Sequence, residues 1–284
     1  MINNIVLPFV LNEGNIRGRM CKLSTVLDRI LNAHDYPLPI AKLLGELLIA
    51  TAIIGEMFKS KHLITLQIKS EGLVQLMIAD YFADGKTRGF AKFDVEKLKK
   101  NEKLDFNDLI KNGILTVTLD QGEGTDIYQG IVALDGEDLS ESIKKYFISS
   151  EQINTEIKIA LGQDLTDGTP KWCGGGIMIQ MLPTENFEDE WQKNQLFINT
   201  ISVSELIDPN LSAEYLLYRL FHEEGVWVDQ AKVVNFGCRC SRERFHTFLK
   251  AIPSLELPNY IVDGKIIFTC EFCSNNESFT EQDL

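Results

Sequence analysis

Two periods of hydrophobic residues alternate along the first 180 positions. Ser24–Ala33 and Pro39–Phe58 carry helical patterns, and the second is apolar on nearly every side, which predicts a deeply packed helix. From His62 the pattern changes. Ile64, Leu66 and Ile68 alternate with Thr65, Gln67 and Lys69, the period of a strand buried on one face. Leu73–Tyr81 follows after the turn-rich Ser70-Glu71-Gly72, so the two runs predict a hairpin. Further strands are expected at Ile114–Leu119, Ile127–Leu134, Glu156–Leu161 and Ile177–Leu182, and a helix at Leu139–Ser149. No internal repeat or low-complexity tract is present.

After Pro183 the pattern turns helical, over Phe187–Ile198, Val203–Ile207 and Ala213–Glu224. These segments carry Trp191, Leu196, Phe197, Ile201, Tyr215, Leu216, Leu220 and Phe221, with Val226 and Trp227 just beyond. A helical subdomain packed on the sheet accounts for them; a cover that comes off the sheet is the alternative.

Composition narrows the function. Apolar residues make up 44% of the 284 positions and charged residues 24%, enough for a sizeable core. A net charge of −13 argues against nucleic acid as a main partner, because phosphate binding runs on Lys and Arg. The stretch Leu38–Phe58 is interrupted by Lys42, Glu46 and Glu56 and reads as a buried helix, so no membrane partner is expected. Met1 to Asn4 shows neither a basic n-region nor a cleavage site, so the expected location is the cytoplasm. In reducing cytosol a metal site is favoured over a permanent disulfide framework.

Chemistry concentrates in the last fifth of the chain. Cys238 and Cys240 form one close pair, and Cys270 and Cys273 form another after twenty-nine intervening residues. Two tight turns, each offering two thiolates, suit a closed tetrahedral zinc site with bonds of ~2.3 Å. Such bonds hold sulfurs roughly 3.8 Å apart, against about 2.05 Å in a disulfide. Oxidation would remove the ligands' negative charge and with it the ion. Pairing within each close pair closes the shortest loops and is preferred, with cross-pairing left open. Arg239, Arg242 and Arg244 are expected to favour thiolate at the first pair, and Glu271 to oppose it at the second. A segment of about fifty residues buries little apolar surface, so losing the metal should unfold it.

The other candidates carry less. Cys21 and Cys173 are isolated and read as small buried hydrophobes. Gly174-Gly175-Gly176 lacks the Lys-Ser/Thr ending of a phosphate loop and is expected to serve a turn. His222 and His246 read as helix-surface or packing residues, while His34 and His62 have no catalytic neighbours. No catalytic residue is expected. Two rival readings remain. A zinc-ribbon nucleic-acid binder is disfavoured because residues 231–284 hold six Lys or Arg against seven Asp or Glu. A thiol–disulfide oxidoreductase using Cys270-Glu-Phe-Cys273 would need a helix start, and eleven residues are too few to complete that fold.

Phe236-Gly-Cys-Arg-Cys-Ser-Arg-Glu-Arg244 and Cys270-Glu-Phe-Cys273 resemble the zinc motifs of the 33 kDa heat-shock chaperone family. Arg88-Gly-Phe-Ala91, Tyr128-Gln-Gly-Ile-Val132, Tyr146-Phe-Ile-Ser-Ser-Glu-Gln152, Gly175-Gly-Ile-Met-Ile-Gln-Met-Leu-Pro183 and Leu220-Phe-His-Glu-Glu224 agree with it too. The mixture of patterns reads as α+β or α/β with a mixed or antiparallel sheet, and α+β is expected: an N-terminal sheet domain with helices (1–182) and, as the resemblance implies, a metastable helical linker (183–232) and a small C-terminal redox-sensing zinc domain (233–284). The resemblance implies one zinc held by Cys238, Cys240, Cys270 and Cys273 in an inactive reduced form. Oxidation would form two disulfides, release zinc and unfold the C-terminal domain and linker. The active form, often a dimer, would then hold unfolding client proteins without ATP. Glu277 departs from the family, where relatives often carry an aromatic residue, and is expected to loosen the packing of the zinc domain.

Overall fold

A computed structural model describes residues 4–11, 14–58, 62–98, 104–122, 124–166, 168–182, 187–253, 256–280 and 283. The chain divides into two compact units, Met1–Phe236 and Gly237–Leu284. The boundary expected between 182 and 183 abuts residues 183–186, which lie outside the described set.

The first unit runs β1 (Ile5–Leu11), β2 (Ile16–Leu23), α1 (Thr25–Leu31), α2 (Leu38–Gly55), β3 (Leu63–Lys69), β4 (Val74–Phe82), β5 (Lys86–Phe93), α3 (Val95–Leu98), α4 (Phe106–Ile110), β6 (Ile114–Asp120), β7 (Tyr128–Ala133), α5 (Leu139–Tyr146), β8 (Thr155–Asp164) and β9 (Lys171–Met181). It continues through α6 (Phe187–Thr200), α7 (Val203–Ile207), α8 (Ala213–Phe221), β10 (Trp227–Val228), β11 (Lys232–Val233) and β12 (Asn235–Phe236). Two sheets result. One has the order β10-β1-β2-β9-β8, with β11 also on β1, and is antiparallel throughout. The other has the order β12-β5-β4-β3-β6-β7 and is mixed, because β12 pairs parallel to β5. The α+β expectation holds.

Helix α2 shows why it is apolar all round: it lies between the sheets. Its Leu44 and Leu48 come up to Gly89 of β5, while Ile49 and Ile53 come up to Gly174 and Gly176 of β9. It is the one described helix long and apolar enough to span a membrane, and most of it is buried inside the protein. The predicted hairpin is β3–β4, with Ile64, Leu66 and Ile68 fully buried beneath it.

The glycine run is a correction. Gly174–Gly176 makes no turn but lies inside β9, with none of the three at positive φ. A Cβ on Gly174 or Gly176 would press on α2, and one on Gly175 would lie 2.7 Å from the Leu206 carbonyl of α7. The run thins the strand so that helices can pack closely on both faces.

The other face of the first sheet is covered by α6–α8. Ile5, Leu7, Phe9, Ile16, Met20, Ile177 and Ile179 pack there against Trp191, Ile198, Ile201, Leu206, Leu216 and Phe221. Ser202 and Ser212 cap α7 and α8, each accepting a backbone N–H. Two sheet lysines grip the ends of these helices. Lys22 Nζ donates to the carbonyls of Leu206 and Asp208, both at 2.8 Å, and of Glu205 at 3.2 Å. Lys158 Nζ donates to Ile201 O at 2.6 Å. Helix C-termini present unpaired carbonyls, and a cation satisfies them best.

The second unit contains α9 (Arg242–Ala251) and the hairpin of β13 (Lys265–Thr269) and β14 (Asn276–Thr280). Its buried core consists of Phe245, Leu249, Ile266, Cys270 and Phe279. A metal-ligand candidate is thus itself part of this small core.

Candidate metal centre

Local structure explains how each cysteine is placed. Cys238 and Cys240 immediately precede α9, where Ser241 starts the helix by accepting the Arg244 N–H at 3.3 Å. Cys270 and Cys273 occupy the turn between β13 and β14. That turn is closed by Cys270 N–H to Asn275 O at 2.9 Å and Ser274 N–H to Cys270 O at 2.8 Å, with Ser274 at φ 56°. Phe245 stacks on Phe268, and Phe268 meets Phe279 edge-on, contacts that fix the helix to the hairpin beside the cluster.

The four sulfurs all lie within 4.8 Å of one another and could hold a metal ion. Cys238 Sγ lies 3.5 Å from Cys270 Sγ, and Cys240 Sγ lies 3.4 Å from Cys273 Sγ. These separations are close to the ~3.8 Å edge of a tetrahedral thiolate site, and an all-sulfur donor set suits zinc. Both of these contacts run across the two pairs.

Burial opposes ionisation of Cys238, but the Cys240 backbone N–H and the neighbouring thiols outweigh it and bring its pKa down to about 7. Burial and the adjoining thiols push Cys240 up, and burial does the same to Cys273. Arg242 and Arg244 both have partners in the fold. Arg242 donates to Asp283 Oδ1 at 2.8 Å and Ser278 O at 2.9 Å, pairs with Glu277 and lies over the Phe279 ring. Arg244 donates to the Arg239 carbonyl at 3.0 Å. Both brace the fold around the sulfurs. Glu277, expected to loosen packing, is one of the groups holding Arg242.

The Hsp33 protein family model matches residues 4–280 of this sequence. The chain belongs to the Hsp33 family. The 33 kDa chaperonin of Caulobacter vibrioides is 34% identical over 283 residues, covering 96% of this chain and 94% of that protein. The 33 kDa chaperonin of Escherichia coli K12 is 34% identical over 271 residues, covering 95% and 89%. The crystal structure of the Thermotoga maritima 33 kDa chaperonin matches with a TM-score of 0.86 at 22% identity, covering 99% of this chain and 96% of its own, a likeness of fold. Hsp33 proteins are chaperones rather than enzymes, and the four-cysteine cluster of this Hsp33 chain could hold a metal ion.

The remaining candidates fall into place around that reading. Cys270-Glu-Phe-Cys273 sits in a hairpin turn and starts no helix, so the oxidoreductase geometry is missing. Cys21 and Cys173 are buried, and neither joins the cluster. His246 stacks on Phe279 with Nε2 3.0 Å from Asp283 O, and His222 lies on the surface of the first unit. The sequence reading missed Lys22 and Lys158. The available signal was local only for Lys158, which lies between Ile157 and Ile159; the charges of β2 hide Lys22.

Proposed function

We propose that this chain is a redox-regulated, ATP-independent holdase of the cytoplasm that protects unfolding client proteins under oxidative stress. The observation that carries this reading is the four-sulfur cluster inside a unit with almost no other core. Cys238, Cys240, Cys270 and Cys273 would hold one zinc ion, which supplies a cross-link between the helix start and the hairpin turn. Each peroxide molecule takes two electrons and two protons from a pair of thiols, leaving a disulfide and two waters. Disulfide sulfurs are poor ligands, so the cross-link is lost.

Which sulfurs pair decides whether this switches anything. Bonds across the pairs, Cys238–Cys270 and Cys240–Cys273, would replace the metal's cross-link with a covalent one and keep the unit closed. Bonds within the pairs close only short loops and leave the helix and hairpin unconnected. The reading therefore requires Cys238–Cys240 and Cys270–Cys273. In the proposed division, residues 1–182 form the core, 183–232 the cover and 233–284 the sensor. Releasing α6–α8 would uncover the apolar face of the first sheet, a contiguous patch suited to unfolded chains and to dimer formation.

The test is a peroxide titration that follows zinc release and suppression of client aggregation together, with reductant added afterwards. Release and activity should rise in step and both reverse. Full activity in the reduced, zinc-loaded protein rules the switch out, and disulfide mapping that finds only cross-pairs does the same.

A further inference from the structure

A cavity of about 970 Å³ opens in the first unit where the end of α2 meets β1, β2 and β10, at the upper end of the range of small-molecule sites. Its lining includes Arg17 and Arg19 of β2, Lys232 of β11, and the aromatic rings of Phe58 and Trp227. Arg19 is the unusual member. It is 9% exposed, and its Nε and Nη1 are buried with no hydrogen-bond partner.

A buried guanidinium without acceptors costs stability unless something supplies them. The acids nearby do not. Glu56 lines the cavity, but its carboxylate accepts the Tyr81 hydroxyl, and no acid among the described residues forms an ion pair with Arg19. Asp229, at the rim, accepts the N–H of Gln230 at 2.7 Å. Burial, reinforced by the charge of Arg17, pulls Arg19 down to about 10, with Glu56 pulling the other way. Three cations thus converge on one cavity in a chain whose net charge is −13. Trp227 is 72% exposed at its edge and offers a flat apolar face.

We propose that this cavity binds a small molecule bearing a phosphate and an aromatic ring, the phosphate on Arg19, Arg17 and Lys232 and the ring against Trp227 and Phe58. A guanidinium fork matches phosphate oxygens, and exposed aromatic rings stack on heterocycles. The site is independent of the sulfur cluster, so its test uses the reduced full-length protein and no client.

Calorimetric titration with adenosine monophosphate, and separately with inorganic phosphate, reads both halves. The nucleotide should bind saturably with Kd below about 1 mM, and phosphate alone about tenfold or more weaker. Arg19→Met and the exposed Lys232→Met should each weaken nucleotide binding about tenfold or more, as loss of a charge-assisted bond does. Without ligand, Arg19→Met should raise the thermal midpoint, since it removes an unpaired buried charge. No saturable heat with either probe overturns the site, and so does unchanged affinity in both variants. A lowered midpoint for Arg19→Met makes Arg19 a structural group and overturns its role. Equal affinity for the two probes overturns the ring contact.

Discussion

Replacing Lys22 by methionine puts the proposed cover under direct strain. Lys22 is 3% exposed, and its ammonium reaches three carbonyls at the end of α7, two of them at 2.8 Å and one at 3.2 Å. Methionine keeps the length of the stem and removes only the donors. A hydrogen bond from a charged donor contributes about 1.5–3 kcal/mol, and the three are not additive. Two factors reduce the loss. Asp208 O also accepts the Leu211 N–H at 3.3 Å, and burial of the ammonium has its own cost, pulling its pKa down to about 8 against the attraction of Asp208. A net loss of about 2–4 kcal/mol follows. That corresponds to about a 30- to 1,000-fold larger opened population of α7. Hydrogen exchange of the α7 amides in reduced, metal-loaded protein reads this directly, and aggregation of a heat-denatured client reads its consequence. Lys22→Met should exchange faster there and hold clients without peroxide. Protection equal to that of the unaltered chain would refute the latch and, with it, the view that α7 is held mainly by its C-terminal carbonyls.

Three further outcomes test other parts of the structure. Gly175→Ala places a methyl group 2.7 Å from Leu206 O and 2.8 Å from Cys21 O, so α7 should loosen by about 1–3 kcal/mol, seen as faster α7 exchange with α2 unchanged. Chelating the metal, or Cys270→Ser, should abolish the folded signals of Gly237–Leu284 while Met1–Phe236 keeps its own cooperative transition, since structural zinc supplies about 10–16 kcal/mol to such units; persistent folded signals from the second unit would contradict it. Burial, helped by Asp138 and opposed by Lys42, raises Glu46 to about 7. The folded chain then holds this proton more tightly than the unfolded one, so stability should fall as pH rises from about 4.5 to about 7, by at most about 3 kcal/mol. Glu46→Gln should flatten that slope in denaturant titrations.

The parts of the fold that were legible in the sequence are those whose pattern is local. The all-apolar run of α2 announced burial on every side, the alternation of Ile64, Leu66 and Ile68 announced β3, and the cysteine spacing announced the four-sulfur cluster. The two-residue strands β10, β11 and β12 were not legible, because so short a strand exists only through its partners on β1 and β5. The hairpin β13–β14 was half legible: β13 leads into the second cysteine pair, whereas β14 is polar except for Phe279. Gly89, in the family-like Arg88-Gly-Phe-Ala91, gives β5 its close approach to Leu44 and Leu48, a tertiary reason that no local pattern displays.

Strand β2 is the most instructive miss. Its sequence, Ile-Arg-Gly-Arg-Met-Cys-Lys-Leu, reads as a solvated segment, yet seven of its eight residues, all but Arg17, are buried. Each charge in it breaks the pattern for a different reason. Arg17 bonds Gln180 on the neighbouring β9 at 3.3 Å, Arg19 lines the cavity on the α2 side, and Lys22 grips α7 on the other face. A strand chosen for stability alone would carry an apolar residue at position 19, since an unpartnered buried cation costs free energy that such a residue does not. Departures of this kind concentrate where a structure must do something besides fold. On that argument Lys22 and Arg19 differ in kind from the core around them: one holds a helix by bonds that can be released, and the other keeps a cavity cationic. Substituting both with methionine should give a more rigidly packed sheet core and a less firmly closed cover at once, two effects that a purely structural role for these residues would not separate.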